Sequence, residues 1–183
     1  MKKIEELLNE LKLNENIQLD DIPNIDLYMD QVIQLFESKM SNSKRNDEDK
    51  ILTKTMINNY SKGKLMMNIK NKKYSKNHII LMCLIYELKG TLSIPDIKTV
   101  LNSIVKNYDN DESEKFNLEE VYNEYINVIK ENEAYIKADI NRKVDESTNL
   151  DSYESQLILL CYLINKANIY RRLSEKIIDE LMN

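Results

Sequence analysis

Apolar residues recur at helical spacing over most of the chain. Ile4, Leu7, Leu8 and Leu11 share one side of a short amphipathic helix over 2–12, and Leu27, Val32, Leu35 and Phe36 do the same over 25–40. Acids in the opening turn of the second helix suit the positive end of its dipole. SNSKRNDEDK then reads as a solvated loop. Thr53 is placed to cap a short helix through Ser61, which Gly63 ends. From Lys64 to Lys73 apolar and polar residues mix without a 3.6-residue period, as a wing or hairpin tip would. Regularity resumes at Ser75, an N-cap for a helix to Lys89 with Gly90 at its end. Ser93, with Asp96 three residues on and Pro95 in the first turn, marks the start of the next.

An acidic loop over 107–117 leads to two long helices, about 118–144 and 151–181. The second contains LILLCYLI, apolar on all sides, which predicts the central helix of the C-terminal part. Two glycines and two prolines in 183 residues leave little turn chemistry, so the fold class is all-α. The expected organisation is an N-terminal helix and linker (1–24), a compact domain (25–106), the acidic linker (107–117) and a C-terminal helical region (118–183). Cys83 and Cys161 both lie in apolar runs and read as buried small hydrophobes, which fits a reducing cytoplasm. No apolar run is long enough to span a bilayer, so no membrane association is expected.

Charge changes this picture. The chain has 26 Lys plus Arg against 31 Asp plus Glu, yet Lys50 to Tyr86 holds eight lysines and no carboxylate. A stretch of that length at the chain-average frequency would hold about six acids. On the short helix within it, Lys54, Thr55, Asn58, Asn59 and Lys62 share one arc, while Met56, Ile57 and Tyr60 lie on the other side. The front carries side chains suited to nucleic acid: Asn can bond bidentately to adenine, Thr can touch a thymine methyl, and Lys can reach guanine or phosphate.

The order LTKTMINNYSKGKLM, then KKYSKNHIILMCLIYELKGTLSIPDIKTVL, resembles the DNA-binding domain of MerR-type regulators. The matching residues are Tyr60, Leu65, Lys73, Tyr74, Leu81, Ile85, Leu88, Gly90, Leu92, Ile97 and Lys98. IDLYMDQV together with LTKTMINNY is similar to an uncharacterised bacterial family, the domain of unknown function 1836. The first resemblance implies a winged helix-turn-helix that binds double-stranded DNA in transcriptional control. Lys54, Thr55, Asn58 and Asn59 would face base edges, with Thr53, Lys62, Lys70, Asn71, Lys72 and Lys73 on phosphates. The chain departs from the MerR pattern at Asn58, where an Arg is usual two residues before the Tyr. The competing expectation is a helical protein-interaction or ligand-binding module without DNA-binding activity.

Catalytic constellations are wanting. His78 is the single histidine, expected in the first turn of its helix near phosphate or solvent, and it cannot build a triad or His-based metal site alone. Gly63 and Gly90 are too far apart for a phosphate loop. DNDESEKFNLEE has calcium-loop spacing, but Glu114 stands where a left-handed glycine is needed. An enzyme, a cofactor and a metal are therefore not expected. The tyrosines of the C-terminal helices read as half-buried core, leaving any small-molecule effector unspecified. Those two helices form an antiparallel pair against which other helices, or a second subunit in a homodimer, can pack.

Overall fold

The computed structural model describes residues 2–13, 15–110, 116–146 and 151–182. These form seven α-helices and one two-stranded antiparallel ribbon: α1 (Lys2–Glu10), β1 (Leu27–Tyr28), α2 (Met29–Met40), α3 (Lys54–Lys62), β2 (Lys73–Tyr74), α4 (Lys76–Leu88), α5 (Ile94–Asp109), α6 (Leu118–Asp145) and α7 (Tyr153–Ile177). The last helix runs into a π-helical turn at Ile178–Met182. The all-α class is what the apolar periodicity predicts.

Two runs in this chain are apolar all round, and the fold treats them differently. ILMCLIY lies on α4, where Ile79, Ile80, Leu81, Met82, Cys83 and Ile85 are all buried. A helix with no polar face must be surrounded. Val32 and Phe36 of α2, Ile57 and Tyr60 of α3, Ile97 and Leu101 of α5, and Tyr122 and Ile126 of α6 belong to the same buried cluster. LILLCYLI lies on α7, which the sequence makes a central helix. Instead Leu159 is the only buried residue of α7, and Cys161 is exposed. Both runs are apolar throughout, and the placement of neighbouring helices separates their fates.

The core begins before β1 and ends within α6. Tyr122, 1% exposed, donates its hydroxyl to the Ile17 carbonyl at 2.7 Å. This bond ties the segment preceding the ribbon to a helix 105 residues later. Burial holds the Cys83 thiol, beside Tyr122, up at about 12, so it is a protonated packing group.

Three boundaries differ from those read in the sequence. The helix expected over 25–40 starts at Met29, because Leu27 and Tyr28 are extended and paired with Tyr74 and Lys73. Ladder pairing satisfies backbone groups that a helix would have to satisfy internally. Gly63 ends α3 without being its left-handed residue. It stays right-handed at φ −72°, and Lys64 takes the left-handed position at φ 57°. Leu65 N–H then donates to Tyr60 O and Lys64 N–H to Ser61 O, both at 3.0 Å, which completes a Schellman cap. A Cβ on Gly63 would stand 3.1 Å from Asn59 O, so close approach accounts for the glycine. Finally, α5 extends to Asp109, into the segment read as an acidic loop. Residues 111–115 of the calcium-loop pattern over 109–120 lie outside the described residues.

Candidate nucleic-acid interface

Thr53 caps α3: its Oγ1 accepts from Met56 N–H at 3.1 Å. From there the helix presents the predicted arc to solvent, with Lys54, Thr55, Asn58, Asn59 and Lys62 all exposed. Ile57 and Tyr60 are buried beneath it, and Met56 is half-buried. The polar front is held by an apolar back at fixed 3.6-residue phase.

The irregular stretch after α3 ends in a tight hairpin. Lys70 and Lys73 bridge, Lys73 N–H donating to Lys70 O at 3.0 Å, and the two residues between them are left-handed: Asn71 at φ 53° and Lys72 at φ 58°. Left-handed backbone at both central positions is type I′ geometry, which follows the twist of the strands it joins. Asn suits its site, whereas Lys72 occupies one that favours Gly. The strained position puts a lysine at the tip, and Lys70, Asn71 and Lys72 are all exposed.

Residues 28–30 connect the helix to the hairpin. Lys54 at the start of α3 pairs with Asp30 in the first turn of α2, at 2.8 Å. Lys73 lies over the Tyr28 ring, 5.2 Å from its centroid. The N-terminal end of α3 and the hairpin thus meet at the start of α2. Neither Tyr28 nor Asp30 is identifiable as a site residue from the chain. Their contacts span 24 residues or more, and nothing local marks them.

Tertiary contacts also bring carboxylates to the acid-free segment. Lys76 pairs with Glu119 at 2.8 Å. A cleft of about 300 Å³ beside the hairpin is lined by Asp26, Lys70, Lys73, Asn77, His78 and Asp109, among others, and Asp109 accepts from Asn68 N–H at 2.9 Å. Two of the eight lysines are thus ion-paired and Lys73 rests on an aromatic face. Among the described residues, no ion pair engages Lys62, Lys70 or Lys72.

His78 stands in the first turn of α4 as expected, but it is buried and does not face solvent. It is 7% exposed, its Nδ1 accepting from Ser75 N–H at 3.2 Å and its Nε2 lying 3.3 Å from the Met67 carbonyl. These partners place the proton on Nε2. Burial lowers the imidazole's pKa below its usual 6.5, although the Met67 carbonyl and the Asp26 and Asp109 carboxylates pull it back upward. The unfolded chain takes up a proton near pH 6.5 that the folded chain resists. The stabilisation is therefore complete above that pH and is lost as pH falls toward the depressed folded value. Thermal unfolding of wild type and His78→Gln between pH 7.5 and 5 should show the wild type losing stability more steeply on acidification. Parallel pH profiles would rule this out.

Among the described residues no group of three His, Cys, Asp or Glu side chains could hold a metal, and no helix is long and apolar enough to cross a membrane. No curated protein and no solved structure matches the chain. A family model does, over residues 17–125, which run from the first core residue to α6 and include the whole of α3, the hairpin and α4. The chain therefore belongs to the family described as Domain of unknown function (DUF1836).

Proposed function

We propose that this protein binds double-stranded DNA through α3 and the Lys70–Lys73 hairpin, as a transcriptional regulator with a MerR-like winged helix-turn-helix. The observation that carries this reading is the exposed Lys54, Thr55, Asn58, Asn59 and Lys62 arc on a helix whose back is locked into the core. An α-helix fits the B-DNA major groove, and the amide side chains of Asn58 and Asn59 match the donor and acceptor pair of an adenine edge. The hairpin serves as the wing. Lys70, Asn71 and Lys72 at its tip contact flanking phosphates, which position the helix without reading sequence. Tyr28 beneath Lys73 and Asp30 beside Lys54 hold the two elements in register.

The chain's net charge of −5 opposes indiscriminate binding, so affinity rests on a few local contacts. Three to five neutralised phosphates give a log–log salt slope of about −2.7 to −4.5 on mixed genomic DNA. Retention that is absent even at low ionic strength would sink the reading. Asn58→Ala with Asn59→Ala should flatten sequence preference while nonspecific retention and its salt slope persist. The second reading is an interaction module with no DNA-binding activity. It draws support from the apolar surface that α7 leaves open, and it is the outcome if DNA is not retained.

A further inference from the structure

Helix α7 is fastened at a few points on one side and carries an exposed apolar stripe on the opposite side. On the fastened side, Tyr162 donates its hydroxyl to Asp139 of α6 at 2.8 Å, and Lys166 pairs with the same carboxylate. These contacts, with Arg142, hold Asp139 down at about 2. Ile178, just past α7, is buried, and the turn it begins packs on α5. On the open side, Tyr153, Leu157, Leu160 and Ile164 fall within an arc of about 60°. Their exposures are 73, 44, 55 and 53%. The spacing of four, three and four residues continues through Ala167 to Arg171, the seam of a two-stranded coiled coil.

We propose that this seam is covered by α7 of a second copy of the chain, running antiparallel about a two-fold axis near Tyr162. Charge sets the direction. Between Tyr153 and Asn165 the sole charged residue is Glu154, whereas Lys166 to Ile177 carries Lys166, Arg171, Arg172 and Lys176 against Glu175. An antiparallel pair sets Glu154 beside Arg171 and Arg172 of the second copy and opposes the two helix dipoles favourably. A parallel pair sets like charges together. In the antiparallel register Leu160 meets Ile164 of the second copy, Leu157 meets its Ala167, and Tyr153 covers the stem of its Arg171. A two-fold contact is self-complementary, so one seam serves both copies.

Tyr153, Leu157, Leu160 and Ile164, at about 100 Å² each, expose on the order of 400 Å² of contiguous apolar surface, within the 300–600 Å² of a monomer's largest and often functional patch. A stable interface buries about 800 Å² per partner, so the polar flanks of the stripe supply the remainder. The proposal does not depend on what α3 binds.

Cys161 provides the test, because it flanks the seam next to the two-fold axis and is exposed, while Cys83 is buried. Light scattering on the full chain should give twice the 21.7 kDa chain mass, and a short bis-maleimide should trap a covalent dimer that Cys161→Ser abolishes. Leu160→Glu with Ile164→Glu, at two positions already more than half exposed, should weaken self-association about a hundredfold or more with unchanged circular dichroism. A monomer at every concentration overturns the proposal, as does a dimer indifferent to the two glutamates. A dimer that Cys161 does not trap overturns the antiparallel seam, whether or not the double variant folds.

Discussion

Reversing Lys62, Lys70 and Lys72 to Glu is expected to abolish retention on mixed genomic DNA, with affinity falling at least a hundredfold at about 0.1 M salt. The three are exposed and none is in an ion pair among the described residues, so reversing them breaks no bridge that holds the fold. Each phosphate that is no longer neutralised should flatten the log–log salt slope by about one. Lys54 and Lys73 make poorer choices, since their partners Asp30 and Tyr28 would be left facing a carboxylate. Lys72→Gly separates charge from structure. It relieves a left-handed lysine worth about 1 kcal/mol and removes one tip cation, so it should raise the unfolding midpoint while weakening DNA retention. If the triple reversal binds DNA as the wild type does, the hairpin and α3 are not the DNA surface. Such a result would favour the interaction-module reading.

Adjacent residues of α3 should respond oppositely to the same substitution. Ile57 is fully buried among the residues that surround α4, and Ile57→Ala should cost about 2–5 kcal/mol, the transfer free energy of the deleted atoms plus the cavity left behind. Asn58 is exposed, and Asn58→Ala should stabilise by a few tenths of a kcal/mol, because Ala has the higher helix propensity. Denaturant unfolding of both variants measures the difference directly. Equal midpoints would mean that α3 is not seated on the core through Ile57.

Ile57 and Asn58 also show how much was legible along the chain. The division of α3 into a buried back and an exposed front needs only a 3.6-residue period and a Thr cap, and both act within one or two turns. The hairpin was legible as irregularity. Its type I′ turn was not, because Lys72 occupies a position where Gly would have signalled it. The burial of His78 is not legible for a related reason. Its position in the first turn of α4 is local information, whereas its burial depends on the Met67 carbonyl arriving from a loop eleven residues earlier.

Local chemistry along this chain is enough to place the helices, the cap and polar front of α3, and the acid-free segment. Each depends on neighbours within a turn or two. The partners of that segment and the fate of the two apolar helices depend on residues brought together from far apart. Asp30, Glu119 and Asp109 reach the lysine-rich stretch from both sides of it, so an acid-free sequence becomes a partly compensated surface. The apolar runs of α4 and α7 both favour being covered. Packing by α2, α3, α5 and α6 covers α4, while α7 keeps one side open, because burial depends on which other surfaces the chain can bring within reach.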